Sequence, residues 1–194
     1  MNTIITEETE FGEVPIDIYT KLANDRILFI NNHIDDRIAT DIVATLLLQS
    51  EENSSKKITL IINAESGNVH DVLMIIDMIN AIKCPVETIC VGSAMDEVVI
   101  LLASGTKGMR YATKHAMICP NQLVNNQPFQ TNLNEAESFL KRTTADNKIC
   151  MNILAEATGK SVKTIMKDFE RKQFMDAKQA LKYGLIDAIL PSKK

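Results

Sequence analysis

The chain has 194 residues and a formal net charge of -4 at pH 7, from 21 Lys and Arg against 25 Asp and Glu. This length suits a single domain, and 45% hydrophobic and 24% charged residues are ordinary for a globular protein. The acidic balance argues against a nucleic acid or an anionic membrane as the main partner. The four cysteines include no CxxC pair, the N-terminal segment lacks a secretory signal, and no apolar run could span a bilayer. We therefore expect a cytoplasmic protein with reduced thiols and no membrane partner.

Strands and helices alternate in the first half of the predicted structure. Residues 1–15 hold few large apolar groups, so we expect a flexible arm before a single domain over residues 16–194. Continuous apolar runs predict buried strands at 26–31, 58–63 and 86–91, with two short strands in KGMRYA and AMIC. A period of 3.6 residues predicts helices from Asp35 or Asp36 to Gln49, over 69–81 and over 93–104. This spacing predicts βαβ units and an α/β fold with a mainly parallel sheet.

One long helical pattern without Pro or Gly covers about residues 132–158. A helix of that length overhangs a domain of this size, and its apolar side chains would need a second subunit to cover them. Two ordinary helices that break near Asp146 are the alternative. A helix over 161–170 follows, and FMDAKQALKYGLIDAIL predicts a capped helix and a last strand.

Three segments carry a resemblance to a known family. They are GEVPIDIYTKLANDRILFI near the start, ICVG with LLASGTKGMRYA in the middle, and FERKQFMDAKQALKYGLID near the end. These segments resemble the ClpP family, the proteolytic subunits of the ATP-dependent Clp protease, over about residues 12–189. The resemblance implies the ClpP/crotonase-like fold of repeated β-β-α units, with a head domain and a protruding handle helix at about 132–158. It also implies two stacked rings of seven subunits around a chamber, and no cofactor.

Catalysis in this family needs a serine nucleophile, a histidine base and an aspartate that orients the histidine. The family patterns G-Q-A-A-S-M-G, M-I-H-Q-P and E-R-D-x-F place these roles at Asp96, Cys119 and Lys172 of this chain. No histidine follows Cys119, so moving the alignment forward recovers no base. The resemblance therefore implies a member that lacks the catalytic triad.

The oxyanion hole is also altered. The family loop N-S-P-G-G appears here as Asn63-Ala64-Glu65-Ser66-Gly67. The resemblance assigns the two oxyanion-hole positions to Gly67, which keeps its backbone donor, and to Glu97. Two carboxylates, Asp96 and Glu97, would stand where the reaction builds negative charge, and this disfavours peptide hydrolysis.

The residues of this region suggest two other kinds of chemistry. Asp96 and Glu97 are adjacent on a predicted helix, so their side chains diverge by about 100° and make a poor carboxylate pair. Cys119 could use His115 as its base or share a metal with it, but four strand residues span about 13 Å, and a buried thiol is the alternative. No metal site is predicted.

The remaining serines and histidines give no catalytic pair in the sequence. Ser66 and Ser93 have no identified base, and His33 and His70 are interpreted as isolated side chains.

Two surfaces follow from the resemblance. Glu170 and Arg171 match an acidic–basic pair that makes contacts between rings, although a solvated pair is the alternative. The family's cleft for its ATPase partner is assigned to four positions, of which one is aromatic: Thr59, Ile61, Ala81 and Tyr111.

Three functional hypotheses remain open. The first is a non-catalytic ClpP-like ring subunit, alone or mixed with an active ClpP paralogue, that docks a Clp-type AAA+ ATPase. The second is an enzyme: a serine-type or other endopeptidase with a displaced site, or a crotonase-like acyl-CoA enzyme that uses Gly67 and an amide near Met95. The third is a self-contained ring with only a binding role.

Overall fold

Residues 3–9, 12–121 and 132–191 are described by the computed structural model of the chain. The strands are β1 (Ile4–Thr9), β2 (Gly12–Asp17), β3 (Ile27–Ile34), β4 (Ile58–Gly67), β5 (Val86–Met95), β6 (Arg110–Ala112), β7 (Met117–Cys119), β8 (Met175–Asp176) and β9 (Ala188–Ile189). The helices are α1 (Ile18–Asn24), α2 (Asp36–Glu52), α3 (Val69–Ala81), α4 (Val98–Ala103), α5 (Leu133–Thr158), α6 (Val162–Asp168) and α7 (Ala177–Tyr183).

The main sheet is parallel. Its strands lie in the order β3-β4-β5-β6-β9, and β7 pairs beside the end of β5. Only β8 runs antiparallel to its neighbour, β7, among the strands described in this sheet. Ile58, Leu60 and Ile62 of β4 are fully buried, as expected for a central strand whose two faces are covered. The predicted α/β fold with a parallel sheet is confirmed.

The helix predicted over residues 93–104 begins later than expected. Strand β5 continues to Met95, because Ser93, Ala94 and Met95 pair with the three residues of β7. All six residues of α4 are buried, so this short helix crosses the core. The apolar pattern correctly predicted a helix in this region. Because β7 pairs with the end of β5, the strand is longer and the helix begins later than the sequence predicted.

Helix α5 is continuous over 26 residues, so the alternative break near Asp146 is wrong. At about 1.5 Å per residue it is about 39 Å long. Its buried residues all lie from Asp146 onwards, whereas Leu133 and Leu140 in its first part are 89% and 61% exposed. Its role as a handle between subunits stays a prediction.

The N-terminal segment forms an antiparallel hairpin of β1 and β2. Asp17 then caps α1 by accepting from the backbone N–H groups of Tyr19 and Thr20. Residues 1, 2, 10 and 11 of the predicted arm lie outside the described residues, and the mobility of the arm stays a prediction.

A buried ion pair joins the last strand to the core. Arg110 on β6 is 4% exposed and contacts both carboxylate oxygens of Asp187, with Nε–Oδ2 and Nη2–Oδ1 distances of 2.9 and 2.7 Å. Asp187 also accepts from the backbone N–H groups of Gly108 and Arg110. The other guanidinium nitrogen, Nη1, donates to the carbonyl oxygens of Ala103 and Ala157. One arginine therefore connects α4, α5, β6 and the start of β9.

Across the described ranges, no helix is both long enough and apolar enough to traverse a lipid bilayer.

Candidate functional site

The carboxyl ends of β3, β4 and β5 meet at one edge of the parallel sheet, where ligands commonly bind in folds of this class. Asp96 follows directly after β5 and has a φ of 49°, in the left-handed region that few residues other than glycine adopt. Its backbone N–H donates to the carbonyl oxygen of Cys119 at 2.9 Å. The chain thus turns sharply between β5 and α4, a geometry that exposes a nucleophile in many hydrolases.

The structure brings together the three residues that the resemblance assigns to the catalytic positions, Asp96, Cys119 and Lys172. Lys172 Nζ lies 3.1 Å from Asp96 Oδ2, and Asp96 is in turn tied to Cys119 through the backbone. The hydrogen bond with Asp96 raises the pKa of Lys172, so this ammonium stays charged. An ion pair therefore joins the two positions that the resemblance assigns to the family's serine and aspartate.

Cys119 gives this cluster no useful nucleophile. Its side chain is fully buried, and burial raises the pKa of the thiol. The carboxylate of Asp96 raises that pKa further, while Lys172 opposes the shift. Because the thiolate is the reactive form, burial and the raised pKa both disfavour Cys119 as a nucleophile.

Glu97 lies against the two predicted oxyanion donors. Burial raises the pKa of its carboxyl and nearby Asp96 raises it further, whereas hydrogen bonding from the backbone N–H groups of Glu97 itself and of Gly67 lowers it. A Cβ added to Gly67 would come within 2.9 Å of side-chain atoms of Ile34 and Val72, so a glycine is needed here. The two donors that the resemblance assigns to an oxyanion hole therefore lie near a carboxyl group of the protein itself.

The candidate pair of Cys119 and His115 is not formed. His115 is exposed in the turn that precedes β7, while Cys119 is buried at the end of that strand. In the part of the chain that the structure describes, no three His, Cys, Asp or Glu side chains are grouped to hold a metal ion.

The positions assigned to ATPase docking lie at the opposite, amino end of the strands. Thr59 and Ile61 line an open pocket of about 540 Å³, and Thr59 Oγ1 donates to Glu87 Oε2 at 2.9 Å. Ala81 and Tyr111 do not line this pocket. The structure therefore brings two of the four positions together in a pocket of one subunit.

Glu170 and Arg171 are exposed in the turn after α6. Neither side chain forms an ion pair with another residue in the described ranges. Both are accessible on a single subunit, and their predicted contact between rings stays a prediction.

Sequence reasoning missed one pair of side chains at the carboxyl edge of the sheet. His33 Nδ1 lies 2.9 Å from Ser66 Oγ, so His33 is not isolated and Ser66 does have a base within reach. The two residues are register partners on the parallel strands β3 and β4. Aligning the two strands in parallel, with one extra residue in β4, is the signal that could have found them.

Comparison with known proteins agrees with the fold and with the resemblance. The family model described as Clp protease matches residues 10–193. Two relatives, each named ATP-dependent Clp protease proteolytic subunit 2, come from Chlamydia trachomatis serovar D and serovar A. Each is 37% identical over 193 residues, which cover 98% of this chain and 93% of the relative. The chain therefore belongs to the Clp protease family.

Proposed function

We propose that this chain is a ring-forming subunit of a Clp-type protease whose inherited catalytic site does not hydrolyse peptides. The observation that carries the proposal is the ion pair between Asp96 and Lys172 beside the buried thiol of Cys119. Together these three side chains supply no nucleophile with a base within reach. The fold that surrounds these three side chains is retained.

The second support is the carboxyl of Glu97 beside the predicted oxyanion hole. Removing a single donor from such a hole costs about 10²–10³ in rate. Here the carboxyl of Glu97 lies near the N–H groups of Gly67 and Glu97 and would compete with a substrate oxygen for them. The same competition disfavours a crotonase-like acyl-CoA enzyme, because that chemistry would need the Gly67 donor for a thioester oxygen.

Assembly into rings is supported by the exposed apolar side chains of α5. Leu133, Leu140 and Ile149 are 89%, 61% and 46% exposed on one subunit. Contact with a second subunit would remove these side chains from water, and burial of such a surface is the usual force in protein association. We propose that α5 acts as the handle between stacked rings and that Glu170 and Arg171 lie at the same contact.

A Clp-type ATPase is the proposed partner on the other face. The pocket at Thr59 and Ile61 is a site for an apolar loop of such a partner, with Ile27 and Ile89 in its lining. Lys56, Lys57 and Glu87 add charged groups to the same lining. We propose that this subunit modulates docking within a ring that also contains active ClpP subunits.

Hydrolysis of a short fluorogenic peptide tests the proposal. We expect the natural chain to release fluorophore no faster than buffer, because the inherited site has no nucleophile. The triple variant Asp96→Ser, Cys119→His, Lys172→Asp restores the family residues, and we expect it to hydrolyse the peptide. The single variant Asp96→Ser is the matched control, since it adds a serine without its base. Robust hydrolysis by the natural chain would contradict the proposal.

Mixing this chain with an active ClpP subunit separates the regulatory role from a self-contained ring. Native mass spectrometry should detect rings that hold both subunits if this chain modulates an active partner. Rings of only one kind, after prolonged mixing, would favour the role restricted to binding.

A further inference from the structure

The edge of the sheet that holds the inherited site also carries a second group of polar side chains. A pocket of about 310 Å³ is lined by Asn32, His33, Asn63, Glu65, Ser66 and Ser93. None of the three replaced catalytic positions lines it. Every side chain in this lining is polar, so the pocket suits a small polar group rather than an apolar one.

Within this pocket a serine and a histidine are already in hydrogen-bond contact. Ser66 Oγ lies 2.9 Å from His33 Nδ1, inside the range of about 2.6–3.2 Å expected for a nucleophile and its base. With the imidazole proton on Nε2, Nδ1 is free to accept the hydroxyl proton of Ser66. We propose that Ser66 and His33 form a nucleophile–base pair that hydrolyses small polar esters in this pocket.

The backbone of β3 is adjusted at the point that presents His33. Asn32 has a φ of 66°, and the pairing of β3 with β4 shifts register between Asn31 and His33. Bulges of this kind redirect a side chain at the end of a strand and are frequent next to active sites. After the shift, His33 pairs with Ser66, which sets the two side chains beside each other.

Asn63 supplies a hydrogen-bond donor to the same pocket. Its Oδ1 accepts from the backbone N–H of Ser93 at 3.1 Å, which fixes the orientation of the amide. The amide nitrogen, Nδ2, donates to no partner among the residues that the structure describes, and we assign it to the carbonyl oxygen of the substrate. Gly92 makes this arrangement possible, because a Cβ there would lie 2.4 Å from Asn63 Oδ1.

The reaction has two balanced steps. Ser66 Oγ bonds to the ester carbonyl carbon while its proton moves to His33, the bond to the alcohol oxygen breaks, and the alcohol leaves with that proton. Water then attacks the acyl-serine by the same route, so that the carboxylic acid is released and Ser66 regains its proton. Glu65 in the lining favours neutral or cationic esters over anionic ones.

Hydrolysis of 4-nitrophenyl acetate by the full chain is the first test. A positioned base contributes about 10²–10⁴ in rate, so Ser66→Ala and His33→Gln should each lower kcat/KM at least 100-fold. His115→Gln and Ser55→Ala change an exposed histidine and an exposed serine outside the pocket, and they should keep the natural rate. Equal rates for the natural chain and Ser66→Ala would overturn the proposal.

Labelling with a fluorophosphonate gives an independent readout, because it needs an activated hydroxyl. Trypsin separates the candidates: Ser66 is the only serine between Lys57 and Lys83, while Ser93 lies in the peptide that ends at Lys107. We expect the label on the first peptide in the natural chain and its loss in His33→Gln. A label on the second peptide, or equal labelling without His33, would overturn the proposal. Peptide hydrolysis that depends on Ser66 would contradict the expectation that the natural chain does not hydrolyse peptides. It would still support the nucleophile–base pair of Ser66 and His33.

Discussion

Replacing Asp187 by Asn should destabilise the fold strongly, because it leaves the buried guanidinium of Arg110 without its counter-charge. Three donors converge on Asp187 Oδ2, namely the N–H groups of Gly108 and Arg110 and Arg110 Nε. An asparagine must place its single oxygen there, so its amide nitrogen would face Arg110 Nη2, where donor meets donor. Breaking one partner of a buried pair costs about 3–5 kcal/mol.

We expect the lower end of that range, about 3 kcal/mol. The Asp187 side chain is 19% exposed, so water can reach part of the pair, and Arg110 Nη1 keeps both of its carbonyl acceptors. Urea denaturation at one fixed protein concentration measures the loss, since assembly would otherwise change the apparent stability. Asp41→Asn is the control, because Asp41 is exposed and forms no ion pair in the described ranges.

The pH dependence has a definite sign. The hydrogen bond from Arg110 holds the pKa of Asp187 below its ordinary value near 3.8, so the folded chain binds this proton less readily than the unfolded chain. The stabilisation is complete well above pH 4 and is lost as the pH falls through the folded pKa. The gap between the natural chain and Asp187→Asn should therefore narrow below about pH 4. A free-energy difference under about 1 kcal/mol at pH 7, typical of an exposed pair, would refute this reasoning.

Three further predictions concern the turn at Gly92, the thiols and α5. Gly92→Ala should lower the free energy of unfolding by about 1–3 kcal/mol in urea denaturation, more than Gly108→Ala does. Both glycines have a positive φ, but of the two only Gly92 lacks room for a Cβ. Equal losses of stability in the two variants would contradict this steric argument. Burial raises the pKa of Cys90 and Cys150 to about 12. Iodoacetamide at pH 8 should therefore alkylate these thiols only after the chain unfolds. Fast labelling of the two thiols in the native chain would contradict their burial. Leu140→Glu should shrink the assembly in sedimentation experiments, whereas Leu181→Glu on α7 should leave its size unchanged; a similar effect of both would argue against contact through α5.

Helix α3 shows which features the sequence determines locally. Its bounds, Val69–Ala81, were predicted correctly because Asn68 caps the first turn and the apolar residues repeat with the helical period. The strand ends were harder to predict. Strands β3 and β5 extend past the predicted ends because neighbouring strands supply hydrogen-bond partners there, and that information lies far away in the chain.

The candidate site likewise contains residues that the sequence could assign and one contact that it could not. Aligned motifs assigned Asp96, Cys119 and Lys172 to the family's catalytic positions, and the structure places all three together. The contact between Ser66 and His33 escaped sequence reasoning, because the two residues are 33 positions apart and meet only through the strand register and an irregularity in it.

The ion pair between Asp96 and Lys172 couples the effects of mutations at these two positions. Asp96 is largely sheltered and Oδ1 already lacks a hydrogen-bond partner among the described groups, so a change at Lys172 alone leaves this carboxylate without its cation. A change at Asp96 alone provides a serine without a base. Each single change therefore removes a charge partner without completing a nucleophile–base pair. Under the proposed function, a peptidase site at these positions would require changes at both of them together.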